Sequence, residues 1–176
     1  MKTASTLAVL IAMFIALPAF GQKSTRADFN EFAKTMQGRW VGDVTWITDW
    51  PGWGKKGDKI TCYAENKIAE DGNAVILRFY GGSGSGTGIT VFDAGSKQIK
   101  ETFVSSGGTV WTTVFFKKDG KWVNIQSGSN ADGSKVEAKN MLSISDNGNK
   151  HTWTGTTKIG GKNVDELNDV WRRVSK

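Results

Sequence analysis

Residues 38–46 read Gly-Arg-Trp-Val-Gly-Asp-Val-Thr-Trp. Trp40, Val44 and Trp46 fall on one side of an extended segment, and Asp43 and Thr45 on the other. That period of two belongs to a strand with one buried face. Just upstream the period changes: Phe29, Phe32, Ala33 and Met36 recur at helical spacing, with Ser24 or Thr25 able to cap the start and Gly38 placed to end the run. The apolar stripe is narrow, so this short helix is expected to plug or flank something larger.

Downstream, turn signals recur every 11 to 15 residues or so. They are Asp71-Gly72, the glycine run of residues 81–88, Ala94-Gly95-Ser96, Gly107-Gly108, Asp119-Gly120, Asp132-Gly133, Asn147-Gly148 and Gly160-Gly161. Asp-Gly and Asn-Gly pairs mark hairpins because both central residues of a type I′ turn take positive φ. Such spacing leaves room for long strands joined to their sequence neighbours. The chain is therefore read as all-β, a single up-and-down antiparallel meander of about nine or ten strands. Closure into a β-barrel removes the exposed edges of so long a sheet. A two-layer sandwich is the alternative, but its crossovers call for longer connections.

Composition agrees. After residue 21 the only leucines are Leu77, Leu142 and Leu167, while Ile, Val and Thr abound, as suits pleated surfaces rather than helical cores. Met1-Lys2, an apolar run from Leu7 to Ala19 and the small residues of Ala19-Phe20-Gly21 read as a signal peptide, too short for a membrane span. The expected division is a signal peptide at 1–21, a helical segment at 22–37 and the barrel at 38–176. Cleavage near Gly21-Gln22 would export the chain to the periplasm or beyond, with no stable membrane insertion afterwards. The net charge of +6 is dispersed, with basic residues no more than paired in sequence, so no nucleic-acid partner is expected. The single cysteine, Cys62, excludes an intramolecular disulfide and reads as a small buried hydrophobe.

Gly38-Arg39-Trp40 opening the first strand after a short helix, and Trp171-Arg172-Arg173 near the C-terminus, resemble the lipocalin and wider calycin superfamily. The Gly-Arg-Trp-Val-Gly opening, the Asp71-Gly72 hairpin and residues 99–108 are similar to small exported bacterial calycin-like domains of unknown function. The resemblance implies an indole, here Trp40, at the closed end of the barrel with an Arg from the last strand across it, and Arg172 and Arg173 are both candidates. The disulfides common in secreted lipocalins and the His-containing C-terminal motif of haem-binding nitrobindin barrels are missing.

Catalysis has little to work with. His151, the one histidine, shares a face with Trp153; it could serve as a base for a hydrolase or isomerase, or as a haem ligand, but without a visible partner it reads as a core histidine. One Cys and one His do not make a zinc site, so no metal and no cofactor are expected. The carboxylate pairs Glu70-Asp71 and Asp165-Glu166 fall at turns. The run at 81–88 lacks the Lys-Ser/Thr of a P-loop and is followed by a strand, so it reads as a mobile hairpin loop. Binding has more. Trp46, Trp111 and Trp153 divide between core and pocket wall, and Trp50 and Trp53 flank Pro51-Gly52 in the first connection, where the barrel resemblance places a solvent-facing lid. Trp40, Trp122 and Trp171 are assigned to packing. Arg78 and Tyr80 join the candidate binding set if their face is inward; if Val75, Leu77 and Phe79 point inward instead, Arg78 is exterior. These readings converge on non-catalytic binding of a small hydrophobic or aromatic molecule at the barrel mouth. The competing reading is a surface module stacking sugars on Trp50 and Trp53.

Overall fold

A computed structural model describes residues 22–176. The expected signal peptide lies outside the described residues. Helix α1 (Arg26–Met36) starts with a capping box, in which the Thr25 hydroxyl accepts from the Asp28 N–H and the Asp28 carboxylate accepts from the Thr25 backbone. Eleven strands follow: β1 (Gly38–Thr45), β2 (Lys59–Ala69), β3 (Ala74–Gly81), β4 (Gly84–Asp93), β5 (Gln98–Ser105), β6 (Val110–Lys118), β7 (Lys121–Ser129), β8 (Lys135–Ser145), β9 (Lys150–Ile159), the two-residue β10 (Lys162–Asn163) and β11 (Leu167–Ser175).

Each strand from β1 to β9 pairs antiparallel with the next, and β11 bridges β9 and β1. Ten strands thus close into an up-and-down barrel, with β10 a short ribbon on β9. In β1 the inward positions are Gly38, Trp40, Gly42 and Val44, while Arg39, Asp43 and Thr45 face outward. Charged and hydroxyl side chains with scattered Tyr, Ile and Val cover the outside.

Turn chemistry follows the sequence at Asp119 (φ 50°) and Gly120 (φ 74°), which join β6 to β7 as a two-residue turn. At Asp71-Gly72 the turn is longer than expected. Glu70, Asp71 and Gly72 are all left-handed, and the Asn73 side chain donates to the Glu70 carbonyl at 2.9 Å, which stabilises a four-residue connection.

The glycine run corrects an expectation. Residues 81–88 are not a mobile loop: only Gly82 and Ser83 turn, and Gly84, Gly86 and Gly88 form the inner face of β4. Their role is space. A Cβ on Gly84 would lie 2.6 Å from the Trp53 ring, and one on Gly86 would fall inside the van der Waals envelope of the Phe103 ring. Gly86→Ala, with no positive φ to complicate it, should therefore cost about 1–3 kcal/mol through overpacking, read as a lower denaturant midpoint. A change within about 0.5 kcal/mol, the ordinary range of a surface substitution, would disprove the steric account.

Helix α1 closes one end of the barrel. Phe29, Phe32 and Ala33 are buried with Val75, Ile99, Phe115, Trp122 and Leu142, and Phe32 meets the Phe115 and Trp122 rings at centroid distances of 4.6 and 5.2 Å. The segment between β1 and β2 crosses the other end. Ser83 N–H donates to the Trp53 carbonyl at 3.3 Å, and Pro51 packs so closely on Gly107 that a Cβ there would strike its carbonyl oxygen.

Candidate functional site

Between plug and lid the barrel is hollow. A cavity of about 210 Å³ lies behind α1, walled by Phe32, Trp40, Phe79, Phe115, His151 and Trp153 among others. A second, of about 180 Å³, lies under the lid against Trp46, Trp50, Trp53, Phe103 and Trp111. Leu77, Phe79 and Glu101 border both. A third, of about 190 Å³, shares Trp46, Trp50, Phe79, Trp111 and Gln126 with the second and reaches Thr157 and Asp169.

Ring stacking sets the mouth. Trp111 stacks on Phe103 at 5.2 Å and meets Trp50 edge-on at 5.7 Å, and Trp53 packs on Trp46 at 6.0 Å and on Phe79 at 5.2 Å. Trp53 is only 8% exposed, against the expectation that the lid pair faces solvent, and Trp50 is half-buried. The reason is the glycine face of β4, which opens the space its indole occupies. Trp46, Trp50, Trp53 and Trp111 are brought together at this end, and Trp153 and His151 line the inner cavity.

Arg78 and Tyr80 are not part of the site. Val75, Leu77 and Phe79 turn inward, so Arg78 and Tyr80 face outward, where the Arg78 guanidinium donates to the Thr87 hydroxyl. Cys62 is fully buried, and desolvation, reinforced by Asp169, pushes its thiol up to about 12, which removes thiolate character. Glu70, Asp71, Asp165 and Glu166 are exposed at turns.

The closed end resolves the choice between the two arginines. Arg173 lies over the Trp40 ring with its guanidinium carbon 4.2 Å from the ring centroid, and its Nη2 donates to the carbonyls of Thr35 at 2.9 Å and Gly148 at 3.1 Å. Arg172 faces out and pairs with Asp43 at 2.8 Å. Trp40 Nε1 donates to the Met36 carbonyl at 2.8 Å, tying strand to helix. His151 stacks on the Trp40 indole at 3.9 Å; desolvation, helped by Arg173, lowers its pKa to about 4 and leaves it neutral near pH 7.

The polar groups of the interior were largely missed from sequence. Glu101 projects inward between Ile99 and Phe103 on β5 and takes a hydrogen bond from the Thr90 hydroxyl, its cross-strand partner, at 2.9 Å. Burial raises its pKa against that bond. Asn140 donates to Asn124 at 3.0 Å, and both are buried. Asp169 faces inward on β11, and its pKa is raised to about 7 by desolvation, opposed by the Thr45 N–H. A signal for Glu101 existed: a carboxylate sharing the apolar alternation of Ile99 and Phe103.

No family model matches the chain, and no curated protein matches it. Among solved structures it is similar to the crystal structure of a "putative outer membrane protein" from Bacteroides fragilis NCTC 9343, at 9% identity over 87% of this chain and 100% of that one, with a TM-score of 0.22. A likeness of that size carries no argument about function. Among the described residues, no group of His, Cys, Asp and Glu is placed to hold a metal ion, and no helix is long and apolar enough to cross a membrane.

Proposed function

We propose that this chain is an exported, calycin-like barrel that binds a small, apolar or aromatic molecule in its interior without transforming it. One observation carries the reading: the interior holds adjoining aromatic-walled cavities between a helical plug and a tryptophan lid. A site of this kind needs apolar walls and a few polar anchors, and Glu101, Gln126 and the Asn124-Asn140 pair supply the anchors. The calycin-like part rests on Trp40 under Arg173 beside α1. An apolar inside and a largely polar outside suit a barrel in water, since a membrane-spanning barrel carries its apolar band outside.

Each cavity is smaller than the roughly 300–1,000 Å³ of a site for drug-sized ligands, so the ligand is compact or spans two chambers. Titration of the protein with 2-phenylethanol, phenethylamine, decanoic acid and haem, followed by tryptophan fluorescence, tests the proposal. We expect saturable quenching by at least one apolar or aromatic member and a loss of affinity in Trp111→Ala. No saturable response from any of them would sink the reading.

A further inference from the structure

The charge of the cavity walls is one-sided. The chain carries a net charge of +6, yet no Lys or Arg lines the three interior cavities. Their ionisable groups are Glu101, Asp169 and His151. Glu101 borders both the inner and the lid chamber. Among the described residues no ion pair reaches it, and its carboxylate receives one hydrogen bond, from Thr90 to Oε2. Gly88, diagonal to it on β4 and paired with Phe103, clears its place, since a Cβ there would lie 3.2 Å from the carboxyl carbon.

A buried carboxylate without a cation is costly, and a ligand that brings the cation offsets that cost. Aromatic faces add to the attraction, because indole and phenyl quadrupoles favour a positive charge held near them. Trp50, Trp53, Phe103 and Trp111 stand around the same chamber. An anionic ligand in the lid chamber would meet a like charge with no Lys or Arg on that chamber's wall, while the Arg173 guanidinium behind the inner chamber is engaged with Trp40 and the Thr35 and Gly148 carbonyls.

We propose that the barrel interior selects a small organic amine, its ammonium seated on the Glu101 carboxylate and its apolar body held among Trp50, Trp53, Phe103 and Trp111. This rests on reading the interior as a small-molecule site. The amine donates a charge-assisted hydrogen bond to a carboxylate that already accepts from Thr90, and no covalent step is involved.

Three probes of one shape separate the possibilities: phenethylamine, the neutral 2-phenylethanol and the anionic 3-phenylpropionate, titrated calorimetrically into the mature chain. The amine should bind the wild type about tenfold or more tighter than the alcohol, and the carboxylate weakest of all. In Glu101→Gln the preference for amine over alcohol, taken as the ratio of the two dissociation constants within one protein, should collapse to about twofold or less. Glu101→Met, an apolar replacement of similar length, provides the same comparison should the Gln variant fold poorly. An amine no tighter than the alcohol in the wild type, or a preference that survives both replacements, overturns the amine assignment while leaving interior binding standing. If none of the three binds, the amine assignment falls, and the response to decanoic acid and haem decides whether interior binding stands.

Discussion

Phe32→Ala is expected to lower stability by about 3–5 kcal/mol, the usual cost of truncating a fully buried aromatic side chain. Phe32 is 1% exposed and fits between the Phe115 and Trp122 rings, so its loss leaves a void that the rigid strand ends cannot close. Against a typical total of roughly 5–15 kcal/mol, that is a large share. The effect should be seen as a lower urea midpoint with an unchanged slope. Lys34→Ala, on the exposed side of the same helix, should change the midpoint little. A loss below about 1 kcal/mol for Phe32→Ala would mean that α1 does not unfold together with the barrel.

Asp169→Asn should stabilise the protein, and only where the wild-type carboxylate is ionised. Desolvation raises the folded pKa of Asp169 from 3.8 to about 7, so between those values the folded state holds a proton that the unfolded chain has released. Stability linked to this group is complete below about pH 4 and falls as pH rises, until the whole penalty is present above about pH 7. At about 1.4 kcal/mol per pH unit, and allowing for partial exposure, the variant should gain about 2–4 kcal/mol at pH 8. The gain should shrink toward zero near pH 4. Asparagine keeps an oxygen to accept from the Thr45 N–H, so the substitution removes the charge rather than the bond. His151 contributes with the opposite sign: its lowered pKa costs stability as pH falls from about 6.5 toward 4. That contribution is common to both proteins and cancels in their difference. A gain independent of pH would show that Asp169 is not a desolvated acid.

The barrel was legible because its strands obey two simple rules, alternation along the chain and Gly-bearing turns between runs. The helical spacing of Phe29, Phe32, Ala33 and Met36 likewise marks a short helix that plugs or flanks the rest. The inner face of β4 was not legible. Glycine alternating with Ser and Thr looks like a flexible linker, and only the Trp53 and Phe103 rings supplied by other segments explain why nothing larger fits. The burial of Trp53 is hidden from the sequence for the same reason: it depends on space made about thirty residues away. Arg78 had two open readings that differed by one flip of the strand, and Val75, Leu77 and Phe79 settled it by turning inward. Glu101 is not legible in the sequence because a single acid among strand residues carries no motif; its meaning comes from the absence of Lys and Arg on cavity walls drawn from many strands.

The seam between β1 and β11 also governs when the molecule can exist. Asp43 and its partner Arg172 are 129 positions apart, and no shorter route closes the cylinder, because β11 supplies the missing edge to both β1 and β9. Pairings so distant in sequence are slow to form, since the loop entropy must be spent before any contact returns it. A chain still lacking residues 167–175 has two open edges and an indole with no guanidinium over it. Closure of the barrel therefore waits for the last strand, because until β11 is present β1 and β9 both lack the partner that joins them.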